Sequence, residues 1–435
     1  MNLLFANDRR GEYPPGWYAE TRDAAPDATP LRGAARADVV VIGGGYTGLS
    51  AALHLAEAGV DVALVEAHRV GFGASGRNGG QVGSGQRLDV DDLEKLVGRD
   101  RSRALWDMAE EAKALTRDLA ARSGVTFHPG VAHAFRKPAE LDHARRMIDR
   151  LARDYGYDQI SLHGADDFRA MVPAAGFCGG ELDLGAGHLH PLNHALGMAR
   201  LAVAAGARIY DRSWVHRIDH ADRATGKTVV ATEHGRITCD HVILALNGYA
   251  GGLSGKIAAR VMPINNYIAV TEPLGDRAAQ VLTRNIAVHD TRFVVNYWRM
   301  DGDRLIFGGG ETLGYRFPRD IAAKVRKPLE TLYPQLQGVR LTHAWGGTLA
   351  ITMNRMPCFQ RLAPNALSAA GFSGHGVALA SLAGRQMAQA VMGQGAGFDL
   401  MASLPMPAFP GGAAFRWPML VAGMTWFSLR DRLGI

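Results

Sequence analysis

Cysteine is scarce in this chain: Cys178, Cys239 and Cys358 are its only three in 435 residues, and they lie far apart. Cysteines scattered in this way predict a reducing compartment and no disulfide framework. Residues 1–10 lack the long apolar segment of a signal peptide. We therefore expect a cytoplasmic protein.

Long apolar runs and blocks of like charge are also missing. Because no 18 consecutive residues are apolar, we predict no membrane-spanning helix. The most apolar stretch, 417–427, is interpreted as a tail that packs on its own domain, with docking to a membrane or a partner as the alternative. The net charge is only +6 and no block rich in lysine or arginine occurs, so no nucleic-acid partner is expected.

Glycine is abundant instead, with 53 residues, and its first cluster carries a motif. A strand of the buried type, 39–42, runs into Gly43-Gly44-Gly45-Tyr46-Thr47-Gly48, in which Gly43, Gly45 and Gly48 fit G-x-G-x-x-G. Such glycines allow a tight turn, a close approach of pyrophosphate and close helix–strand packing, and the helix N-terminus then faces the phosphates. Glu66 ends the next strand, about 20 residues further on, where a ribose-binding carboxylate belongs. The order of these features predicts a dinucleotide site.

A second glycine-rich segment, 71–81, favours FAD over a nicotinamide cofactor. Its sequence is Gly71-Phe72-Gly73-Ala74-Ser75-Gly76-Arg77-Asn78-Gly79-Gly80-Gln81. Glycines at this density disfavour helices and strands, but they let a chain pass close to a flat ligand and offer its N–H groups. A flavin stays bound and is wrapped by several distant segments, whereas a nicotinamide cofactor must leave. A flexible surface linker is the alternative interpretation.

Two further strands end in polar, glycine-rich turns. A strand at 241–246 leads to Asn247 and Gly248, at the kind of strand end where open α/β sheets bind ligands. A strand at 366–370 leads through Gly371-Phe372-Ser373-Gly374-His375-Gly376 into a helix of about 377–392, whose N-terminus would stabilise negative charge on a reduced flavin. His375 is either a polar group beside the flavin or a loop histidine bonded to the backbone.

The whole pattern predicts a doubly wound, Rossmann-like α/β domain interleaved with an α+β domain built on an antiparallel sheet. Residues 1–37 are expected to form an arm over the surface. The FAD-binding domain is assigned residues 38–90, 190–260 and 340–435, and the substrate domain residues 91–189 and 261–339. Helices are predicted at 91–122, 139–154 and 192–205, and strands at 207–210, 214–218, 228–232, 261–271, 293–300 and 304–307.

Together the three glycine-rich segments resemble the D-amino-acid-oxidase-like flavoprotein superfamily, which includes glycine and sarcosine oxidases. Within it the chain is most similar to the gamma-glutamylputrescine oxidases, through Gly187-His188-Leu189-His190-Pro191-Leu192-Asn193, Leu305-Ile306-Phe307-Gly308-Gly309-Gly310, Asn354-Arg355-Met356-Pro357 and Ser428-Leu429-Arg430-Asp431-Arg432-Leu433-Gly434. The resemblance runs from about residue 13 to the end of the chain.

The resemblance implies FAD on the doubly wound domain, with the antiparallel sheet roofing a substrate pocket over the flavin ring. Tyr46 and Thr47 belong to the phosphate-binding turn, Glu66 would hold the adenosine ribose and Val215 would lie near the adenine. Further contacts would come from Ala74, Ser75, Arg77, Asn78, Gly79 and Gln81 at the pyrophosphate and ring, Asn247 and Gly248 beside the cofactor, and Gly374, His375, Gly376 and Val377 at the pyrimidine edge. His375 is the candidate catalytic residue.

Three positions depart from the pattern of the sarcosine oxidases. Ala378 stands where their carboxylate-binding lysine lies, so a small α-amino acid loses one anchor. Leu349 falls near their flavin-linking cysteine, which predicts non-covalent FAD. Ile306 falls near their oxygen-activating lysine, which leaves the choice between oxygen and another acceptor open.

The expected reaction is oxidation of gamma-glutamylputrescine or a similar ω-amine, by hydride transfer to flavin N5, hydrolysis of the imine to aldehyde and ammonia, and reoxidation by oxygen. The alternatives are another amine or amino acid as substrate, or a flavin-bearing subunit of a larger complex. Candidates for lining an amine pocket are Tyr267, Trp298 and Trp345, each with an ordinary core role as the alternative. No metal is predicted, since His188 and His190 lack further spaced ligands. The oligomeric state, monomer or homodimer, stays open.

Overall fold

The computed structural model describes residues 2–220, 226–312 and 314–433, and these fold around three β-sheets. The strands are, in chain order, β1 (Gly33–Arg36), β2 (Val39–Ile42), β3 (Val62–Val65), β4 (Gln81–Val82), β5 (His128–Phe135), β6 (Ile160–Gly164), β7 (Gly179–His188), β8 (Arg208–Tyr210), β9 (Val215–Asp219), β10 (Thr228–Thr232), β11 (Gly235–Cys239), β12 (His241–Leu244), β13 (Met262–Thr271), β14 (Ala287–Asp290), β15 (Tyr297–Asp301), β16 (Arg304–Glu311), β17 (Leu341–Ile351), β18 (Cys358–Ala363) and β19 (Ala366–Ala370). The helices are α1 (Trp17–Glu20), α2 (Tyr46–Glu57), α3 (Val90–Val97), α4 (Arg99–Arg122), α5 (Pro138–Arg150), α6 (Ala165–Met171), α7 (Pro191–Ala204), α8 (Gly255–Ala258), α9 (Ile321–Leu332), α10 (Gly376–Val391), α11 (Ala396–Ala402) and α12 (Gly412–Leu433).

A six-stranded sheet in the order β18-β19-β12-β2-β3-β8 forms the predicted α/β unit. All its neighbours are parallel except the edge strand β18. Side chains alternate between the two faces: Val39 and Val41 pack in one core with α2, α7 and α10, whereas Val40 and Ile42 pack in another with the small sheet β1-β11-β10-β9. Burial on both faces explains why the strand is apolar at every position.

The second large sheet runs β17-β13-β16-β15-β14-β5-β7-β4, with β6 added on β7. Its strand pairs are antiparallel except β14 with β5. One face is covered by α9, where Phe307 packs with Leu329, and Ile306 on the other face joins the core of α2 and α10. The antiparallel sheet therefore lies over the α/β unit. Its edge strand β17 ends at Ile351, so the sheet includes residues beyond the domain boundary predicted at 340.

Most predicted elements are confirmed, and two are corrected. The predicted helix 91–122 is interrupted at Gly98, whose φ of +82° ends α3 before α4 begins. The strand predicted at 293–300 begins only at Tyr297, because Asp290 accepts hydrogen bonds from the backbone and side-chain amides of Asn296 and closes a loop there.

Both termini make specific contacts. In the N-terminal segment Tyr18 is buried, and β1 pairs with β11, so part of the predicted arm belongs to a sheet. Near the other end, Arg416 on α12 donates a hydrogen bond to the carbonyl of Val261, while Phe415 and Trp426 are more than half exposed. No helix within the described residues is both long and apolar enough to cross a lipid bilayer.

Candidate cofactor cleft and active site

An elongated cleft opens at the carboxyl ends of β2, β3 and β12. The strands β3 and β12 flank β2 on opposite sides, and open α/β sheets bind ligands at such a point. Most of the predicted cofactor residues meet there although they are far apart in sequence. They are Gly43, Gly45, Tyr46, Thr47, Glu66, Ala74, Ser75, Asn78, Val215, Asn247, Gly374, Gly376 and Val377.

The turn between β2 and α2 has the geometry that the glycine motif predicts. Gly43 has φ +111°, and a Cβ there would lie 2.6 Å from the carbonyl oxygen of Ala245. A Cβ on Gly48 would lie 1.9 Å from the carbonyl oxygen of Gly43, so close helix–strand packing requires glycine. Gly45 caps α2 without a side-chain hydrogen bond of its own. The N–H of Tyr46 donates to Ser75 Oγ at 3.0 Å, and the N–H groups that follow it in the first turn remain for an anion.

Glu66 is held at the edge of this cleft by backbone donors. Its Oε2 accepts from the N–H of Gly44 at 2.7 Å, and its Oε1 accepts from the N–H of His68 at 2.8 Å. Burial raises the pKa of Glu66, while these N–H donors oppose the shift. Each carboxylate oxygen keeps a further lone pair, so the group fits the hydroxyls of a ribose.

Two glycine-rich loops meet at the other end of the cleft. Asn247, with φ +44°, accepts a hydrogen bond through Oδ1 from the N–H of Gly371 at 2.9 Å. Ser373, with φ +52°, donates its N–H to the carbonyl of Ala350 at 2.9 Å. These bonds aim the first turn of α10 at the cleft, and no side chain caps that helix. The cleft and its two open helix N-termini fit FAD.

Several predicted residues lie beside the cleft rather than on its wall. Arg77 is buried and bonds to the carboxylate of Asp8 and to two backbone carbonyls, so it anchors the loop 71–81. Gln81 donates its side-chain amide to the carbonyl of Val288, which joins the same loop to the antiparallel sheet. Gly48, Gly79, Gly248 and His375 also lie outside the cleft wall.

Other residues line the cleft without having been predicted. They include Leu4, Trp214 and Tyr249. Leu349, which the resemblance placed near the flavin, lines the cleft as well. Trp214 stands next to Val215, so its place could have been inferred from that neighbour. Leu4 comes from the N-terminal segment, and no local pattern indicates that it reaches the cleft.

The three aromatic residues predicted to line a substrate pocket are all buried in the core. Trp298 and Tyr267 lie on the face of the antiparallel sheet that α9 covers, where Trp298 contacts Tyr333 edge-on. Trp345 donates its Nε1–H to the carbonyl of Arg77 and does not line the cleft. Tyr297 lies on the opposite face from Trp298, because side chains alternate along a strand.

Tyr297 is the aromatic residue of β15 that lies near the cofactor loop 71–81. Its ring lies against Gly79, where a Cβ would come within 2.7 Å of it, and its hydroxyl donates to Asn266 at 2.6 Å. It therefore lies between the cofactor loop 71–81 and the antiparallel sheet.

His375 lies at the start of α10. Its Nε2 is 3.0 Å from the carbonyl oxygen of Gly85, and since a carbonyl only accepts, Nε2 carries the proton. Burial lowers the pKa of His375 to about 4, and the charge of Arg87 adds to this effect. The imidazole is therefore neutral at pH 7.

A buried polar network supports the segment under His375. Lys113 donates to Ser84 Oγ at 2.6 Å and to the Tyr157 hydroxyl at 3.1 Å, and both hydroxyls donate to Asp183. Lys113 also forms an ion pair with Glu110 at 2.8 Å. The donors and acceptors satisfy one another, which fixes residues 83–85 against the histidine.

Residues 38–390 match the family model described as FAD dependent oxidoreductase (DAO). The chain belongs to this family and is an FAD-dependent oxidoreductase. It is 39% identical to the gamma-glutamylputrescine oxidoreductase of Escherichia coli (strain K12), over 98% of this chain and 100% of the relative. It is also 39% identical to a probable oxidoreductase, OrdL, of Rhizobium meliloti (strain 1021), over 96% and 97% of the two chains.

The fold is shared with solved structures of more distant proteins. Glycine oxidase from Geobacillus kaustophilus superposes with a TM-score of 0.71 at 21% identity, covering 86% of this chain and all of the other. L-proline dehydrogenase from P. horikoshii superposes with a TM-score of 0.67 at 20% identity, covering 83% of this chain and 94% of the other. At these identities the likeness shows the fold alone.

Proposed function

We propose that this enzyme oxidises gamma-glutamylputrescine or a closely similar ω-amine, with non-covalent FAD and with oxygen as the final oxidant. The observation that carries the substrate assignment is the likeness, over nearly the whole of both chains, to gamma-glutamylputrescine oxidoreductase. Leu349, which cannot form a thioether to a flavin, lines the cleft and supports non-covalent binding.

Bound FAD would accept a hydride from the carbon next to the amine, and water would hydrolyse the resulting imine to an aldehyde and ammonia. The first turn of α10 would stabilise negative charge at the edge of the cleft, since Gly376 and Val377 line it. His375 would act as a neutral polar group and not as a base, because its pKa is about 4. The antiparallel sheet, with Tyr297 on its inner face, would exclude water from the reacting atoms.

Ala378 supports an amine substrate over a small α-amino acid. Its side chain is buried in the core between α10 and its neighbours, so this position offers no cation for an α-carboxylate. The specificity must then come from other residues.

The test is the visible spectrum of the purified protein, mixed with gamma-glutamylputrescine without air and then opened to air. We expect the yellow flavin band to bleach, and then to recover with formation of hydrogen peroxide. Glycine and sarcosine serve as control substrates and should bleach it far more slowly. Bleaching without recovery would replace oxygen by another acceptor, and no bleaching would contradict the proposed substrate.

A further inference from the structure

Two arginines, Arg87 and Arg355, form a cationic cluster near His375. The first of them is carried by the segment 83–87. A Cβ on Gly83 would lie 2.5 Å from Cε1 of His375, and the carbonyl of Gly85 accepts the histidine's Nε2–H at 3.0 Å. These contacts hold the segment against the loop 371–376. Arg87 follows two residues later, with an exposed side chain.

A second arginine reaches the same loop from the turn after β17. The N–H of Thr352 donates to Ser373 Oγ at 3.3 Å, and the N–H of Arg355 donates to the carbonyl of Thr352 at 3.3 Å. Arg355 has φ +64°, a conformation that an arginine adopts at a cost. Its guanidinium is 5.4 Å from the centre of the Phe293 ring. Both arginines are thus carried by segments that pack on the loop before α10.

A neutral histidine of the antiparallel sheet lies near Arg87. The ring of His289 stacks on His133, with 4.4 Å between centroids, and its buried Nδ1 has no hydrogen-bond partner among the described residues. Burial lowers the pKa of His289 well below its usual value, and the charge of Arg87 adds to the shift, so the ring is neutral at pH 7.

Within the described residues these two arginines lack a carboxylate partner. In the described part of the chain, neither Arg87 nor Arg355 forms an ion pair with a carboxylate, unlike the buried Arg77, which pairs with Asp8. Burial lowers the pKa of Arg355, and the charge of Arg87 lowers it further. Two arginines that repel each other are stabilised when an anion binds between them.

We propose that Arg87 and Arg355 bind a carboxylate of the amine substrate. The inference rests on the proposed function and deepens it, because it names the substrate class: an amine that carries a carboxylate at its far end. The guanidinium groups match a carboxylate in shape and charge. The glutamyl group of gamma-glutamylputrescine supplies such a carboxylate, whereas putrescine alone does not.

The test uses two substrates that differ only in that group, N-glutarylputrescine and N-pentanoylputrescine. The measured quantity is the ratio of their kcat/KM values, in the holoenzyme and in Arg87→Met, Arg355→Met and the control Arg236→Met, an exposed arginine on β11. We expect the wild-type enzyme to prefer the carboxylate, and each of the first two variants to reduce the ratio by about 10- to 100-fold. Arg236→Met should keep the wild-type ratio.

A ratio near one in the wild type, or an unchanged ratio in both variants, would overturn the inference while leaving amine oxidation intact. Titration with glutarate, followed by the visible spectrum of the bound flavin, gives a readout that needs no turnover. We expect its Kd to rise about 10-fold or more in Arg87→Met and Arg355→Met. Equal Kd values in all proteins would refute the carboxylate site even if no amine proved to be a substrate.

Discussion

The guanidinium of Arg77 donates to the carboxylate of Asp8 over 2.9 Å, and it ties the cofactor loop to the N-terminal segment. The two side chains are only 2% and 14% exposed. The same guanidinium donates to the carbonyls of Phe72 and Gly346. One arginine therefore joins the N-terminal segment, the loop 71–81 and the antiparallel sheet.

Replacing Asp8 should destabilise the protein because it leaves a buried charge without its partner. We expect Asp8→Asn to lower the free energy of unfolding by about 3 kcal/mol. Glu12→Gln is the matched control, because Glu12 and Arg9 form an exposed pair 3.9 Å apart, and it should change stability by less than about 1 kcal/mol. Urea denaturation of both variants measures the difference, and equal values would show that the buried pair is not stabilising.

Replacing Glu66 should weaken FAD binding while the fold is kept. In Glu66→Gln the amide group cannot accept from both Gly44 and His68, so one backbone donor loses its partner and a ribose hydroxyl loses a charged acceptor. We expect the Kd for FAD to rise about 10-fold or more. Titration of the apoprotein with FAD, followed by flavin fluorescence, measures it. Glu57→Gln, at the far end of α2, is the control, and a similar loss there would speak against a specific role of Glu66.

His375 should contribute to the rate as a neutral group. We expect His375→Ala to retain FAD and to slow anaerobic flavin reduction by the amine about 10-fold, through the loss of a polar contact. Because the pKa of His375 is about 4, its titration should add no inflection to kcat/KM between pH 6 and 9. Stopped-flow absorbance measures both. An unchanged rate would remove His375 from the mechanism, and an inflection lost in the variant would show that its pKa is higher.

His194 should make the fold sensitive to acid. It is fully buried on α7, neither ring nitrogen has a partner within the described residues, and burial lowers its pKa from 6.5 to about 4. The unfolded chain therefore binds a proton that the folded protein does not. As the pH falls from 6.5 to 4, this one group should lower the free energy of unfolding by about 3 kcal/mol.

His194→Leu tests this prediction, because it removes the titrating group and leaves no buried donor unpaired. At pH 7 we expect the variant to be as stable as the wild type or more so. Between pH 6.5 and 4 its Tm should fall less than that of the wild type. Parallel pH profiles would show that other groups cause the acid sensitivity.

Local patterns predicted the parts of the site that depend on neighbours in sequence. The glycine motif, Glu66 after β3 and the helix before Gly206 are all read from short-range spacing, and each lies where it was expected. The face of β15 that each side chain occupies was not predicted. Trp298 lies on the side that α9 covers, whereas the adjacent Tyr297 faces the cofactor loop. Which face of a strand is inward depends on what packs against it, and that lies elsewhere in the chain.

The order of strand, glycines, helix and acid in this sequence specifies a dinucleotide site, because steric freedom and helix-end charge act within a few residues of each other. Only long-range packing decides that Arg77 pairs with Asp8, and that Arg87 and Arg355 come to the same loop. These residues are far apart along the chain, so their contacts depend on how the two large sheets pack against each other.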